Sequence, residues 1–291
     1  MSLLARRIPL NLPVFCLIII GLASQRALAD DLSIAPYIPD IVNISYGIDS
    51  DDGQNTYLYT NLGLLSSHRL ILGIGGQDET VSRSEEELDT HTYLVGYNYY
   101  RSRDLQVGFD YENWGEQDKI ITDTYSVSVS FSIDILSVSV SPQYRNITVY
   151  TDSQCSGDID SEALKIDLSL YPSTSWSFSA GYVSYDYSKN RSRLLKCVDP
   201  DELYLIVARL QSVTYDNERA LGFEYYHDTE TYGLHWTQYE SAIDGAITRG
   251  LNTYMSTDML DNWSITIALG TQENIDDTTT EFLQGTLTYY W

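Results

Sequence analysis

The chain has 291 residues, of which 43% are hydrophobic, 41 are acidic and 17 are basic, giving a formal net charge of −24 at pH 7. This charge repels a nucleic-acid backbone and no basic stripe offsets it, so nucleic acid is excluded as a partner. Glycine-rich phosphate loops, HExxH motifs and complete EF-hands do not occur, and neither a cofactor nor a metal site is predicted. The length suits one large domain or two small ones, and no linker-like stretch divides it.

Residues 1–29 have the pattern of a cleaved signal peptide. An arginine pair precedes an apolar segment, Leu10 to Leu22, that is too short to span a bilayer comfortably. Ala27-Leu28-Ala29 then supplies the small residues of a cleavage site. We therefore expect a mature domain of residues 30–291. Three of the 17 basic residues leave with the peptide, so 14 remain against 41 acidic residues, a net charge of −27.

From residue 41 onward, hydrophobicity alternates with a period of two, which indicates β-strands. Long polar loops and short turns alternate between the runs through the first two thirds of the chain. The runs cover 41–49, 54–65, 69–77, 90–100, 105–114, 125–133, a run from 136, 161–171, 175–187, 203–211, 219–227, 231–240, 246–255, 262–272 and 278–291.

The clearest run is YSVSVSFSID, which begins at Tyr125. Its aromatic and aliphatic residues share one face, and its serines share the other; a second such run begins at Leu136. Serine is a poor strand former unless something else holds the strand. A barrel wall with lipid outside and water inside would provide that constraint.

The last fourteen residues, TTTEFLQGTLTYYW, place Leu283, Leu287, Tyr289 and Trp291 on one face of a strand. This segment resembles the closing strand of Gram-negative outer-membrane β-barrels, from which Gly285 is a small departure. The resemblance implies that these four residues are an assembly signal for the barrel assembly machinery. It also implies a location in the outer membrane, in contact with lipid and lipopolysaccharide.

These patterns predict an all-β protein in which residues 30–291 form one antiparallel transmembrane β-barrel. A bacterial single-chain barrel has an even number of strands, so one of the fifteen runs is misassigned, and we place the error within 203–240. We predict about fourteen strands, with twelve and sixteen as alternatives. The 25 tyrosines suit the two membrane–water interfaces. A soluble, tyrosine-rich β-sandwich or solenoid is the competing interpretation.

The polar faces of the strands are predicted to line the lumen. Small residues predominate there, and a barrel of this width would leave room for water, unless loops plug it. The charged residues predicted on this face are Asp110, Glu112, Arg145, Lys165, Asp167, Arg209, Glu224 and Arg249.

Two cysteines, Cys155 and Cys197, remain after processing. An even number in an exported protein favours one disulfide, here between two long loops. The second loop also holds the only basic stretch of the mature chain, Lys189 to Lys196, for which lipopolysaccharide phosphates are candidate partners.

Two histidines lie in patterns that resemble catalytic ones. His235-Trp236-Thr237 approximates the H-x-S pattern of outer-membrane lipases and deacylases, with Thr in place of Ser. His227-Asp228 resembles the acidic–His pairs of outer-membrane proteases. His235 is predicted on the lumen side of its strand, where a polar lumen residue is the simpler interpretation.

Three functions are compatible with these observations. The wide polar lumen favours a passive, porin-like channel for small solutes or ions, with a weak cation preference. The alternatives are a structural or adhesin-type barrel acting through its outer loops and, less favoured, an outer-membrane hydrolase of lipid or peptide bonds. Neither the transported solute nor the oligomeric state is indicated.

Overall fold

The computed structural model describes residues 39–291 except 52, 82–85, 103, 118, 151–155, 189–213 and 274–277. For residues 79–81, 86–88 and 156–157 it describes the backbone only. The predicted signal peptide, the Cys155–Cys197 disulfide, Arg209 and the basic stretch 189–196 lie outside the described residues.

Fourteen β-strands account for nearly all of the described chain. Their bounds are β1 Ile41–Asp49, β2 Gln54–Leu65, β3 His68–Val81, β4 Glu86–Tyr100, β5 Leu105–Glu116, β6 Ile120–Ile133, β7 Leu136–Tyr150, β8 Ser156–Ser173, β9 Trp176–Tyr187, β10 Tyr215–His227, β11 Glu230–Ser241, β12 Ile247–Leu260, β13 Trp263–Glu273 and β14 Thr279–Tyr290. Within the described part of the chain, no helix is long and apolar enough to cross a bilayer.

The strands form a closed antiparallel barrel. Each pairs with its neighbours in sequence, and β1 pairs with β14. Closure gives every strand two hydrogen-bonded edges, as a membrane requires, because hydrocarbon offers backbone groups no partner. The prediction of an antiparallel β-barrel of about fourteen strands is confirmed. The predicted run 203–211, which has no counterpart among the fourteen strands, lies outside the described residues, and β9 pairs directly with β10.

Alternation along the strands separates an apolar outer face from a polar inner one. On β6, Tyr125, Val127 and Val129 point outward and are 43–46% exposed in the isolated barrel, where lipid would cover them. The serines of this strand point inward, and two of them bond to serines on β7. Ser130 donates to Ser139 on β7 at 2.9 Å. Such cross-strand pairs help to explain why this strand accepts so many serines.

The two ends of the barrel differ. The start of β1, the end of β14 and the six short connections, 66–67, 101–104, 134–135, 174–175, 228–229 and 261–262, lie at one end, here called the turn end. Asp134 and Asp228 begin two-residue turns there with φ of 47° and 51°, the left-handed conformation that tight hairpins use. The other seven connections join strand ends at the opposite end, here called the loop end, and the longest of them spans 188–214.

The barrel seam continues one residue beyond β14. The backbone N–H of Asp40 donates to the Trp291 carbonyl at 3.2 Å, and the Trp291 N–H donates to the Asp40 carbonyl at 3.1 Å. The Trp291 ring stacks on Tyr289 at 5.5 Å between centroids. Leu283 and Leu287, the other members of the predicted assembly signal, point outward and are exposed. These four residues therefore share the lipid-facing side of the closing strand.

An apolar cluster narrows the lumen at the loop end. Ile120, Ile147, Val149 and Ile159, from β6, β7 and β8, are buried, with Trp114, Tyr187 and Ile243 packed against them. Ile243 belongs to the connection between β11 and β12, five strands around the barrel from β6. This connection therefore folds inward across the mouth.

Candidate channel lumen

A cavity of about 420 Å³ lies inside the barrel. Side chains from nine consecutive strands, β2 to β10, surround this one space, so all of them face the lumen. They are Tyr59, Ile71, Leu94, Asp110, Glu112, Thr124, Ser126, Gln143, Arg145, Lys165, Val183, Tyr185 and Glu218.

Two carboxylates on β5 form the acidic side of the cavity. Asp110 and Glu112 share a strand face, and Ser126 on β6 donates a hydrogen bond to Asp110 at 3.5 Å. Opposite Asp110 on β4 is Gly96, where an added Cβ would lie 2.2 Å from the Asp110 Oδ1 atom. The missing side chain lets the Asp110 carboxylate lie against the wall, which keeps the cavity open.

Arg145 on β7 and Lys165 on β8 form the basic side. The Arg145 Nη2 donates to the Tyr185 hydroxyl at 3.2 Å, and its guanidinium carbon lies 4.8 Å from the centre of that ring, a cation–π contact. Lys165 Nζ lies 3.4 Å from Asp167 Oδ2. Glu218 on β10 interacts electrostatically with both Lys165 and Arg145. Three carboxylates and two cations thus border the cavity.

The charged residues predicted for the lumen do not all meet there. Asp110, Glu112, Arg145 and Lys165 line the cavity, Asp167 lies beside Lys165, and Glu224 faces the lumen nearer the turn end. Arg249 differs from its predicted position. It pairs with Gln238 on the outer face of β12, shared with Leu251, and contacts Glu273 at 3.5 Å. Strand alternation places it there, because residues two apart share a face.

Sequence reasoning missed Glu218. The sequence predicts a strand that begins at Arg219, which places Glu218 in a loop, whereas β10 begins at Tyr215. Extending the strand would have found it, since Glu218 is six residues from Glu224 and therefore on the same face. Its position beside Lys165 also depends on the pairing of β9 with β10, which the sequence does not indicate.

Glu224 lies in a second polar group of the lumen. Its Oε2 accepts hydrogen bonds from Ser177 on β9, at 2.8 Å, and from Tyr226, while its Oε1 accepts one from Tyr254 on β12. His235 Nε2 lies 3.9 Å from Oε1. The ring of His235 meets that of Tyr254 edge-on at 5.5 Å.

The two candidate catalytic histidines lie in different surroundings. His235 pairs with Gly222 and Asn252 on the lumen face, whereas His227 lies beside an exposed turn, 3.9 Å from Asp228. Among the described residues, no serine or threonine hydroxyl is hydrogen-bonded to either ring. The described chain likewise contains no group of three or more His, Cys, Asp or Glu side chains able to hold a metal ion.

Comparison with known proteins identifies the fold but no sequence family. No family model and no curated protein matches the sequence. Among solved structures, the CymD monoaromatic hydrocarbon channel matches with a TM-score of 0.51 and 9% identity over 88% of each chain. The chain has the fold of outer-membrane porins. The KdgM porin in complex with disordered oligogalacturonate matches at 0.45 and 9% identity, over 86% of this chain and 99% of that one. OccK5 of Pseudomonas aeruginosa matches at 0.44 and 10%, over 87% and 96%.

In outer-membrane barrels of this fold, the short turns face the periplasm and the longer loops face the exterior. With that orientation, the apolar cluster lies at the outer mouth and the charged cavity lies below it. Glu224 then lies towards the periplasmic mouth. The three zones follow one another along the barrel in that order.

Proposed function

We propose that this barrel is a water-filled channel of the outer membrane, which passes small hydrophilic solutes or ions with a weak preference for cations. The observation that carries the proposal is the central cavity, in which carboxylates and basic side chains face one space. Burying such groups without water or partners is costly. A hydrated cavity avoids that cost and offers ions a polar path.

The charges around the cavity support a cation preference that is weak. Three carboxylates face two basic side chains there, and the chain carries a net charge of −24. Acidic walls and mouths concentrate cations and repel anions. Salt should weaken the preference, because the screening length falls from about 10 Å at 0.1 M to about 3 Å at 1 M.

The apolar cluster at the loop end supports a restricted pore. Ile243 and its neighbours occupy part of the outer mouth, so solutes must pass beside a surface that offers them no hydrogen bonds. We therefore expect a small conductance compared with an unobstructed barrel of fourteen strands. Complete closure at this point would instead favour a structural barrel that acts through its loops.

The test is electrophysiology of the purified barrel in planar bilayers. A KCl gradient should give a reversal potential of cationic sign at low salt, which shrinks at high salt. Arg145→Gln should raise the potassium-to-chloride permeability ratio about twofold or more, because it removes a positive charge from the cavity. Arg249→Gln is the matched control, since this arginine lies on the outer face and should leave the ratio unchanged.

Two results would contradict the proposal. A preference for anions in the unmodified protein would refute the electrostatic argument while leaving a channel. Absence of any conductance would refute the channel itself and favour the plugged or structural barrel.

A further inference from the structure

Near the turn end of the lumen, one carboxylate is surrounded by hydroxyl groups instead of basic side chains. Ser177, Tyr226 and Tyr254 all donate hydrogen bonds to Glu224, and together they occupy both of its oxygens. Among the residues that the structure describes, the only ion-pair partner of Glu224 within 4.0 Å is His235, at 3.9 Å. Within the described part of the chain, the site therefore has its hydrogen bonds but no permanently charged cation within 4.0 Å.

The central cavity is different in this respect. Its carboxylates share their space with Arg145 and Lys165, so much of their charge is balanced by the protein. Glu224 is only 27% exposed, and three hydroxyl donors favour its ionised form without cancelling the charge. A partly buried carboxylate without a fixed cation attracts one from the lumen.

A glycine in the barrel wall makes room for the Tyr254 ring beside this carboxylate. Tyr254 pairs with Gly233 on β11, and a Cβ on that glycine would lie 2.0 Å from the Tyr254 Cε1 atom. The aromatic ring therefore lies over the bare backbone of Gly233, with its hydroxyl directed to Glu224. His235 meets the same ring edge-on. Aromatic rings and a carboxylate thus border one point of the lumen.

The hydrogen-bond directions define what could bind. The Tyr254 hydroxyl gives its hydrogen to Glu224, and the Ser177 and Tyr226 hydroxyls bond both to Glu224 and to each other, 3.2 Å apart. The hydroxyl oxygens keep lone pairs that can accept from a bound donor. An ammonium group has three N–H donors, a positive charge for the carboxylate, and favourable contact with aromatic faces. Metal ions are matched less well, because the site supplies one carboxylate and otherwise neutral hydroxyls.

We propose that Glu224, Ser177, Tyr226 and Tyr254 form a binding site for the primary ammonium group of a small solute. The proposal rests on the proposed channel for its physiological meaning, because the solute would bind while crossing the barrel. Binding itself does not require conduction, since the site lies near the mouth at the turn end.

The test is saturation-transfer NMR on the full-length folded barrel in detergent micelles, with n-butylammonium chloride as the probe. The unmodified barrel should bind n-butylammonium more tightly than tetramethylammonium, which has no N–H donor. Glu224→Gln should weaken n-butylammonium binding about tenfold, because a charged partner and its hydrogen bond are lost. Tyr254→Phe should weaken it less, since one acceptor is removed and the carboxylate remains.

The matched control is Glu230→Gln. Glu230 lies at the same end of the barrel but on the outer face, where it accepts a hydrogen bond from Tyr232 at 2.6 Å. Its substitution removes the same charge outside the lumen and should leave binding unchanged. Equal weakening by both substitutions would show that binding depends only on the net charge at this end of the barrel, and would overturn the proposed site. Unchanged binding in Glu224→Gln, or equal binding of the two probes, would overturn the proposal directly.

A second measurement separates this proposal from the channel. In planar bilayers, n-butylammonium added at the turn end should reduce the potassium current of the unmodified barrel more than that of Glu224→Gln. If the barrel binds the probe in micelles but never conducts, the binding site is supported and the proposed channel is refuted. If the barrel conducts but does not bind the probe, the channel is supported and the binding site is refuted.

Discussion

Several polar residues in this barrel have a hydrogen-bond partner on an adjacent strand. Ser45 and Thr286 share a hydrogen bond of 2.9 Å across the seam, and Ser132 donates to Ser137 at 3.1 Å. Each such pair contributes a fraction of a kcal/mol to about 1 kcal/mol. The contributions of charged pairs to stability vary more widely, because they depend on how deeply each pair is buried.

Arg69 shows the effect of burial. Its guanidinium lies 3.1 Å from Asp40 Oδ1, and the two side chains are only 5% and 4% exposed. Arg69→Ala would leave the Asp40 carboxylate buried without this cation, so the free energy of unfolding should fall by about 3–5 kcal/mol. Urea unfolding in detergent, followed by tryptophan fluorescence, measures the loss.

Arg249→Ala provides the comparison for Arg69. The Arg249–Glu273 pair is 52% and 51% exposed, so its loss should cost less than about 1 kcal/mol. Equal losses in the two variants would show that the Arg69–Asp40 pair does not anchor the start of β1.

At the scale of the strand, the hairpin of β5 and β6 depends on a backbone conformation that only glycine adopts easily. Gly115 has a φ of +138°, and a Cβ there would lie 2.0 Å from the carbonyl oxygen of Ile120. The clash is with backbone, so a rotamer change cannot relieve it.

Gly115→Ala should therefore lower the free energy of unfolding by about 1–3 kcal/mol, because it adds strain to a backbone held by the ladder. The urea midpoint of the folded barrel measures this. Gly285→Ala is the control, since nothing lies within 4 Å of a Cβ at that glycine on β14. A similar midpoint for both variants would refute the strain argument.

The closing strand carries the second prediction at this scale. Deleting Trp291 removes both of its backbone hydrogen bonds to Asp40 and its stacking on Tyr289. The resemblance of this strand to other closing strands implies, in addition, a contact with the barrel assembly machinery. We expect less inserted protein in the outer-membrane fraction after the deletion, while Trp291→Phe should insert almost normally. Normal insertion of the protein without residue 291 would contradict an assembly role for Trp291.

At the scale of the whole molecule, stability comes from closure. Every strand has two partners, so local opening must break hydrogen bonds in hydrocarbon, where water cannot replace them. Residues 30–291 in detergent should therefore migrate differently on a gel before and after boiling, with a circular dichroism spectrum dominated by β-structure. Identical migration, or a helical spectrum, would contradict a closed barrel.

The fold could be predicted from the sequence because its cause is local. Lipid outside and water inside impose a change of polarity at every residue, so Tyr125, Val127 and Val129 identify a wall strand without knowledge of their neighbours. The closing strand was recognised differently, by its resemblance to the closing strands of outer-membrane β-barrels. The strand ends were less certain, as the omission of Glu218 shows.

The lumen was decided by the tertiary structure. Alternation says which residues face inward, but strand pairing and closure decide which of them meet. Arg145 contacts Tyr185 from a strand two positions away, and Ile243 packs against a cluster on strands three to five positions away. Glu224 is joined by hydroxyls from β9, β10 and β12. Such contacts depend on the relative register of strands distant in sequence, and no local pattern encodes that register.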